Sequence, residues 1–515
     1  MCRMISKLSS LADKVNAMNT RIITDYLEQT AERLPKKRAI VDAAVELDFQ
    51  TLRNWARRIA TSLARRKLFH QPIVVFLDQS AASVVSFLGV AYAGNFYTVI
   101  DAKMPASRRE KILATLQPAV IITDEKHHGA IAKDAGKAEI LLYDELLQGV
   151  SDDALLAAIA TRITAKDILY VLFTSGSTGM PKGVVIGQQS VMDYTEWVAE
   201  TFHVDENDVI GNQAPFYFDN SVLDIYQMLR CGATLDIIPR SAFIFPVRLL
   251  EYVRDHGINM VFWVPSVLCT VANFGILDKV DITGLKKVLF AGEVMPNKQL
   301  NAWRRCLPDA LFANLYGPTE ITVDCTYYCV NRVFCDDEPL PIGVPCRPNT
   351  ILILNEKNEL ITDTEQGELC VRGRSLAYGY YKNPEKTAES FVQNPLTKEK
   401  DTIYRTGDLV HYNERGEIMY DGRKDFQIKH MGHRIELGEI ETAASSVTDV
   451  ERVACIYDAA QDEILLCYTG KEEEQSLRSA LRLLVPDYMM PRHIQHLDTM
   501  PLNANGKIDR KALHF

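Results

Sequence analysis

Short, wholly apolar runs alternate with helix-like segments through the first four hundred residues of this chain. The run PIVVFL (residues 72–77) precedes the helix-like AASVVSFLGVAYAG, and ILYVLF (168–173), NMVFWVP (259–265) and KKVLFAG (286–292) each follow a helix-like segment. Strands that are apolar along their whole length are typical of parallel sheets covered by helices on both faces. The pattern therefore predicts an α/β architecture with more than one sheet.

The pattern of predicted strands changes near residue 346. Strands there are shorter and more alternating and are joined by Asn and Gly turns, as in LVHYNERGEIMYDG (409–422), which is typical of antiparallel hairpins. We expect a small β-barrel-like subdomain here, completing a large domain of two α/β sheets at residues 20–424. Helix and strand patterns after it predict a small, mobile α+β domain at residues 425–515.

Composition excludes several classes of protein. A length of 515 residues exceeds one ordinary core, and the net charge of −10 with a pI near 5.7 argues against a nucleic-acid-binding surface. No run approaches the roughly 20 apolar residues of a membrane span. The eleven cysteines are dispersed, and Cys325, Cys329 and Cys335 lack the usual spacing of zinc ligands, which favours reduced core thiols over a metal. We expect a cytoplasmic protein.

The loop TSGSTGMPKG (174–183) directly follows the apolar run at 168–173. It differs from the phosphate loop G-x-x-x-x-G-K-[ST], because Pro181 stands where that pattern needs Gly and Gly183 where it needs Ser or Thr. A loop of small hydroxyls and glycine N–H groups can still wrap an oligophosphate, with Lys182 supplying positive charge. The alternative is a solvated Ser/Gly turn after a strand.

Four further motifs follow the loop in order: NLYGPTE (314–320), YRTGDL (404–409), GRKDFQIKHMGHRIELGEIE (422–441) and NANGKIDRKAL (503–513). Together the five motifs resemble those of the adenylate-forming superfamily of acyl-CoA synthetases, luciferases and nonribosomal-peptide adenylation domains. The resemblance covers the chain from about residue 25. It implies that a carboxylate attacks the α-phosphorus of ATP, with Mg²⁺ present, to give an acyl adenylate and pyrophosphate.

The resemblance also implies roles for single residues. Tyr316 packs on adenine, Asp408 holds the ribose hydroxyls, Thr319 contacts the α-phosphate, and Glu320 binds Mg²⁺. The full set of implied nucleotide-binding residues is Thr174, Ser175, Gly176, Ser177, Thr178, Gly179, Lys182, Asn314, Tyr316, Gly317, Asp408 and Arg423. For Asp408 a hairpin turn is the structural alternative.

The two halves of the reaction are implied to use different parts of the small domain. Lys507 bridges the substrate carboxylate and the adenylate in the first half, and its loss would uncover developing negative charge. Asp425 is the hinge about which the small domain then rotates, bringing in KHMGHRIE (429–436) with Gly432 lining the access tunnel of a thiol. Arg434 and Arg423 are implied partners of ribose or phosphate, or else surface charges.

The acid substrate is predicted to carry an amine. Asp219, in FYFDNSVLDIY (216–226), matches the carboxylate that pairs with an α-ammonium in adenylation domains, and a buried carboxylate without a partner is costly. The other pocket positions implied by the motifs are Asn220, Leu223, Trp263, Leu289, Ala291, Leu315, Val323 and Asp324. Their bulk favours a small, alanine-like or serine-like amino acid. Asp324 receives a hydroxyl or cationic side chain, or lies outside the pocket.

Within the superfamily, FDNSVLDIY and FAGEVMP (290–296) look especially like D-alanine:carrier-protein ligases. That subgroup usually has Cys at the position of Ala291 and a smaller residue at that of Trp263, so D-alanine itself is in doubt. Because no carrier segment follows residue 515, we expect the acceptor thiol on a separate holo carrier protein. RHIQH (492–496), GKIDRK (506–511) and RKDFQIKH (423–430) are candidate docking charges or ordinary surface charges.

Two other interpretations remain open. An acyl-CoA ligase for a small carboxylic acid shares the fold and the first half-reaction, and Asp219 argues against it. A catalytically silent binding protein is possible on any fold. A protein that only binds would not need Lys182, Glu320, Asp408 and Lys507 together. Their presence argues against a catalytically silent protein.

Overall fold

The computed structural model describes residues 21–176, 179–424, 427–459, 461–502 and 508–515. Four predicted site residues, Ser177, Thr178, Asp425 and Lys507, lie outside these ranges, so their assignments stay predictions. None of the helices within the described ranges is both long enough and apolar enough to cross a membrane.

The elements are given with their bounds. The α-helices are α1 (Thr24–Arg33), α2 (Phe49–Arg65), α3 (Ala81–Tyr92), α4 (Ala106–Leu116), α5 (Glu125–Ile131), α6 (Tyr143–Gln148), α7 (Asp153–Ala160), α8 (Gln188–Phe202), α9 (Asn220–Cys231), α10 (Pro246–Asp255), α11 (Pro265–Asn273), α12 (Asn297–Cys306), α13 (Pro384–Ser390), α14 (Leu437–Ser445) and α15 (Glu474–Leu484). Short 3₁₀ helices span Arg240–Ile244, Thr319–Ile321, Asp487–Met489 and Arg510–Ala512.

The first two thirds of the chain supply all the strands of the two large sheets. Its strands are β1 (Arg38–Val41), β2 (Glu46–Asp48), β3 (Pro72–Phe76), β4 (Phe96–Val99), β5 (Val120–Thr123), β6 (Glu139–Leu142), β7 (Ile168–Thr174), β8 (Lys182–Gly187), β9 (Val209–Asn212), β10 (Thr234–Ile237), β11 (Met260–Trp263), β12 (Lys287–Phe290), β13 (Leu311–Tyr316), β14 (Thr326–Cys329) and β15 (Val344–Pro345). One sheet has the order β6-β5-β3-β4-β7-β8, and the other has the order β15-β14-β13-β12-β11-β9-β10-β1-β2. The central pairings of both sheets are parallel, as the apolar runs predict.

The remaining strands form smaller sheets. They are β16 (Thr350–Leu354), β17 (Gly367–Arg372), β18 (Phe391–Gln393), β19 (Thr402–Tyr412), β20 (Ile418–Arg423), β21 (Gln427–His430), β22 (His433–Glu436), β23 (Val450–Asp458), β24 (Glu463–Gly470) and β25 (His493–His496). β16 to β20 form an antiparallel five-stranded sheet, which is the expected third sheet of the large domain. β21 and β22 form a hairpin, and β23 to β25 form a three-stranded sheet with α14 and α15 beside it. The α/β class with a small α+β unit is confirmed.

The two large sheets share one hydrophobic core. Val75 and Tyr170 of the first sheet belong to the same buried cluster as Phe262 and Leu289 of the second. Apolar faces that bury each other hold the two sheets at a fixed separation. Loops at the strand ends of both sheets therefore meet at one place, which is where the predicted site residues gather.

Candidate active site

The loop at 174–183 joins two antiparallel strands rather than a strand and a helix. β7 and β8 pair with Thr174 opposite Lys182 and Phe173 opposite Gly183. A Cβ added at Gly176 would lie 2.0 Å from the carbonyl oxygen of Met180, so glycine is required there. The loop therefore differs in topology from a strand–loop–helix phosphate site, which agrees with its departure from that motif.

The β21–β22 hairpin and the helix after it cover this loop. The Ser175 hydroxyl donates to the carbonyl oxygen of Arg434 at 2.7 Å, and the N–H of Gly176 donates to Glu439 Oε2 at 3.3 Å. Lys182 Nζ lies 3.4 Å from Glu436 Oε1. Groups predicted to hold phosphate are thus bonded to the small domain in this arrangement, whereas the buried hydroxyl of Thr174 has no partner among the described residues.

Glu320 is completely buried in the cleft, and both of its carboxylate oxygens have partners. Arg434 Nη1 lies 2.6 Å from Glu320 Oε2, and the Tyr380 hydroxyl donates to Oε1 at 2.8 Å. Burial by itself raises the pKa of Glu320, but the Arg434 guanidinium and then the Lys182 ammonium outweigh it and hold the pKa at about 2. The carboxylate is therefore ionised at neutral pH.

The ionised carboxylate of Glu320 suits Mg²⁺, which prefers hard oxygen ligands. Within the described ranges no group of three or more His, Cys, Asp or Glu residues is placed to hold a metal ion. One carboxylate can hold Mg²⁺ where phosphate oxygens and water supply the remaining ligands. Because Arg434 now occupies Oε2, the guanidinium and a cation on that oxygen exclude each other.

The predicted adenine and ribose residues lie together. Arg423 Nη1 lies 2.7 Å from Asp408 Oδ1, and the Tyr316 hydroxyl donates to Asp408 Oδ2. Asp408 and Arg423 are direct cross-strand partners of β19 and β20, so the extended hairpin sets their contact. The side-chain amide of Asn314 donates to the carbonyl oxygen of Pro341 at 2.8 Å, and its assignment to the nucleotide stays a prediction.

Lys429 is a cleft residue that the motifs did not single out. Its ammonium lies 5.2 Å from the ring centroid of Tyr316 and lines the same cavity as Asp219 and Asp408. Burial lowers the pKa of Lys429, and the charge of Asp408 partly offsets this. The only sequence signal for Lys429 is its position in two motifs. It begins KHMGHRIE (429–436), and it belongs to RKDFQIKH (423–430), whose charges are candidate docking charges. In the described arrangement Lys429 lines the cleft, and the role of RKDFQIKH (423–430) in docking stays a prediction.

Gly432 is wedged against the large domain. Its φ is +77°, its N–H donates to Glu293 Oε1 at 2.6 Å, and a Cβ added to it would lie 2.5 Å from Val264 Cγ1. The next residue, His433, stacks on Tyr488 with 3.6 Å between ring centroids. Burial first, and nearby positive groups second, lower the pKa of His433 to about 3, so its ring is neutral.

Asp219 lies at the start of α9 and lines the cavity together with Asn220, Gly317 and Thr319. Burial raises the pKa of Asp219 to about 6, although a hydrogen bond from Thr319 works in the opposite direction. At neutral pH the group carries charge in a buried setting, which suits an ammonium ligand. Thr319 thus contacts Asp219, and its predicted contact with the α-phosphate stays a prediction.

The structure places most of the predicted side-chain pocket residues in the main hydrophobic core of the large domain, and their role as a pocket wall stays a prediction. A single buried cluster includes Leu223, Leu289, Ala291, Leu315 and Val323. Trp263 does not join them: it belongs to a second cluster with Val261, and its indole N–H donates to the carbonyl oxygen of Gly211 at 2.9 Å. Side chains alternate along a strand, so Met260 and Phe262 of β11 face the first cluster and Trp263 faces away. Placing Trp263 in the pocket wall is not supported by this packing.

The cleft combines a serine- and glycine-rich hairpin loop, a tyrosine–aspartate pair and an inserted small domain. This combination defines an adenylate-forming fold. The family described as AMP-binding enzyme matches residues 27–381, and the chain belongs to that family. It thereby belongs to the adenylate-forming superfamily that the motifs indicate.

Curated relatives include synthases of zwittermicin A and tyrocidine. The chain is 31% identical to zwittermicin A synthase ZmaJ of Bacillus cereus over 95% of its own length and 94% of that protein. It is 33% identical to tyrocidine synthase 3 of Brevibacillus parabrevis, covering 95% of this chain and 8% of that protein, and 31% identical to tyrocidine synthase 1 of the same organism, covering 99% and 47%. The chain thus spans less than a tenth of tyrocidine synthase 3 and about half of tyrocidine synthase 1.

Solved structures agree in fold. The crystal structure of IdnL1 superposes with a TM-score of 0.77 at 26% identity, over 93% of this chain and 99% of that chain. Holo-PA1221, an NRPS protein containing adenylation and PCP domains bound to a vinylsulfonamide inhibitor, superposes with a TM-score of 0.82 at 23% identity, over 95% and 83%. The latter likeness concerns the fold alone. The narrower resemblance to D-alanine:carrier-protein ligases stays a prediction.

Proposed function

We propose that this protein uses ATP to activate a small amino acid, of about the size of alanine or serine, as an aminoacyl adenylate. Pyrophosphate is released, and the aminoacyl group is then transferred to the phosphopantetheine thiol of a separate carrier protein. The observation that carries the proposal is Asp219, a buried carboxylate that lines the cleft beside Thr319 and Asp408 and forms no ion pair with any described cation. An ammonium on the substrate supplies that cation.

In the first half-reaction the protein positions groups and neutralises charge, since attack on phosphorus needs little covalent help. Tyr316 and Asp408 hold the nucleoside, and the 174–183 loop with Lys182 holds the two outer phosphates. Mg²⁺ bound at Glu320 would offset the charge that develops on the phosphate oxygens. Lys507 bridges the attacking carboxylate and the α-phosphate.

The inserted hairpin supports a second half-reaction in the same cleft. With Arg434 on Glu320 and Glu436 on Lys182, the outer-phosphate groups are engaged by protein, which suits a state after pyrophosphate has left. We propose that residues 20–424 and 425–515 are two domains that change orientation about Asp425, with Gly432 beside the path of the thiol. The thiol sulfur attacks the acyl carbon, the bond from that carbon to the AMP oxygen breaks, and AMP leaves.

We also propose the partner and the setting of the reaction. The carrier holds the acceptor thiol on a chain of its own, and the reaction takes place in the cytoplasm. Holo-PA1221 contains adenylation and PCP domains in one protein, which supports a carrier partner for this fold. An acyl-CoA ligase for a small carboxylic acid is disfavoured, because it would leave Asp219 buried without a cation.

Replacing Asp219 with asparagine is expected to lower kcat/KM for amino-acid-dependent exchange of labelled pyrophosphate into ATP by at least about 30-fold, the effect of losing one partner of a buried ion pair. The pKa of Asp219 is raised to about 6, so the group becomes protonated as pH falls through 6 and loses its attraction for the ammonium. The wild-type kcat/KM should therefore decline below about pH 6. The kcat/KM of the variant should not show this decline.

Asp224→Asn is the matched control, since Asp224 lies on the same helix, is fully buried, and does not line the cavity. The exchange assay should be run with D- and L-amino acids, β-alanine and short fatty acids. Exchange supported only by acids without an amine would contradict the assignment of Asp219 and favour a CoA ligase. Exchange with no acid at all would contradict adenylation itself.

A further inference from the structure

The segment of residues 375–381 connects the strand that follows the phosphate loop to the turn that carries Glu320. At one end of the segment, the N–H of Tyr381 donates to the carbonyl oxygen of Gly183 at 2.7 Å. At the other end, the N–H of Ala377 donates to the carbonyl oxygen of Glu320 at 2.8 Å. One short segment of the large domain therefore fixes the backbone of both parts of the cleft.

The side chain of Tyr380, within this segment, contacts two groups that the proposed first half-reaction uses. Its hydroxyl donates to Glu320 Oε1 at 2.8 Å, and only 6% of the residue is exposed. A hydroxyl that donates to a carboxylate forms a charge-assisted hydrogen bond, which is stronger than a bond between neutral groups. The ammonium of Lys182 lies 5.6 Å from the ring centroid of Tyr380, within the range of a cation–π contact. Tyr380 thus contacts both the carboxylate proposed for Mg²⁺ and the lysine proposed for the outer phosphates.

Several contacts hold Tyr380 in place. Its N–H donates to Oγ1 of Thr387 at 2.9 Å, and the residue forms an antiparallel bridge with Val184 of β8. Phe391 packs edge-on against its ring, with 5.9 Å between the ring centroids. The preceding residue, Gly379, has a φ of +113°, and a Cβ added to it would collide with the side chain of Thr387. A side chain supported in this way keeps its hydroxyl at one position relative to Glu320.

The two oxygens of Glu320 have partners in different domains. Oε1 accepts from Tyr380 of the large domain, whereas Oε2 lies 2.6 Å from Nη1 of Arg434, on the hairpin of the small domain. Rotation of the small domain in the proposed cycle would withdraw Arg434 and free Oε2, while Oε1 would keep its donor. A carboxylate held at one oxygen is limited in how its other oxygen can turn. The large domain therefore fixes one oxygen, and only the other changes its partner.

We propose that Tyr380 is a positioning residue of the magnesium site. Its hydroxyl fixes Oε1 of Glu320, so that Oε2 is presented to Mg²⁺ once Arg434 has left. The inference rests on the proposed function and goes beyond it, because Tyr380 lies outside the five motifs that indicate the family. Residues that orient a metal-binding group commonly contribute about 10- to 100-fold to metal affinity without touching the metal.

The test measures binding separately from turnover. The probe is the manganese complex of α,β-methylene-ATP, which cannot be cleaved between the α- and β-phosphorus, and its Kd is measured by calorimetry. Tyr380→Phe keeps the ring and removes the hydroxyl, and it is expected to raise this Kd by about 10- to 100-fold. AMP lacks the outer phosphates that share the metal, so its Kd should be the same for both proteins. In pyrophosphate exchange, the Mg²⁺ concentration that gives half the maximal rate should rise, while the rate at saturating Mg²⁺ should change far less.

Tyr92→Phe is the matched control. Tyr92 is 8% exposed, and its hydroxyl donates to Glu28 Oε1 at 2.8 Å, the same distance as in the pair of Tyr380 and Glu320. It does not line the cavity, so its loss should leave both Kd values and the Mg²⁺ dependence unchanged. Thr387→Val is a second variant in case Tyr380→Phe does not fold. It removes the acceptor of the Tyr380 N–H and should raise the Kd of the manganese complex by a smaller factor.

A double variant shows whether Tyr380 acts through Glu320. In a Glu320→Gln background, Tyr380→Phe should weaken binding of the manganese complex by a smaller factor than it does in the wild type, and independent, additive losses would contradict the inference. An unchanged Kd for the manganese complex in Tyr380→Phe, or an equal loss of affinity for AMP, would overturn the inference alone. Absence of pyrophosphate exchange with every acid in the wild type would overturn the proposed function, while the binding measurements would still decide the role of Tyr380.

Discussion

Replacing Gly432 with alanine is expected to abolish most thioester formation while leaving adenylate formation nearly intact. At φ +77° the new Cβ would lie 2.5 Å from Val264 Cγ1, well inside the contact distance, in the arrangement that inserts the hairpin. The clash arises only when the hairpin is inserted, so it opposes that orientation and no other step. A penalty of ~1.4 kcal/mol or more on the inserted state corresponds to at least about a tenfold loss of transfer.

The measurement compares two rates on one preparation: pyrophosphate exchange, and transfer from the adenylate to pantetheine as the thiol probe. Gly416→Ala is the matched control, because Gly416 has nearly the same φ of +74° and a Cβ added there meets no atom within 4 Å. That control carries the same backbone strain without the clash and should retain both rates. Equal loss of exchange and transfer in Gly432→Ala would contradict a role confined to the second half-reaction.

Replacing Lys507 with alanine is expected to have the opposite effect. Pyrophosphate exchange should fall by about 10²- to 10³-fold, as it does when a preorganised donor to developing charge is removed. Transfer to pantetheine from an aminoacyl adenylate supplied preformed should stay within about threefold, since the lysine is withdrawn in that step by the proposed rotation. The two variants together would separate the half-reactions.

Lys471→Ala is the control for Lys507→Ala, since Lys471 is an exposed lysine of the small domain. It should leave both rates unchanged. If Lys507→Ala lost exchange and transfer to the same extent, the lysine would serve folding or both steps, and its assignment to the first half-reaction would be wrong.

Under the proposed function, the inserted hairpin would make the two half-reactions exclude each other, because both use the charge of Glu320. Arg434 Nη1 lies 2.6 Å from Oε2 of the completely buried Glu320, the carboxylate proposed to hold Mg²⁺ in the first half-reaction. A buried charge must keep a partner. If Mg²⁺ takes the place of the guanidinium in the proposed first half-reaction, Glu320 would keep a cationic partner in both orientations.

The sequence by itself determined the fold class and the family. Apolar runs such as residues 168–173 predict buried parallel strands because a strand covered on both faces has no polar side, and the structure places that run in β7, which pairs with β4 in parallel. Five ordered motifs identified the superfamily, and Asp408 and Tyr316, separated by 92 residues, do meet in the structure. These features depend on local pattern and on residue identity.

Only the tertiary structure decided which way several side chains point. Side chains alternate along β11, so Trp263 points to the second hydrophobic cluster and away from the other predicted pocket residues. A motif alignment does not show which cluster a side chain faces. Lys429 became a cleft residue because the hairpin inserts between the domains, and the bond from Tyr194 to Asp324 joins residues 130 positions apart in the chain. Long-range packing fixes such contacts, since the free energy that selects them comes from burial and pairing across elements that the linear sequence does not place together.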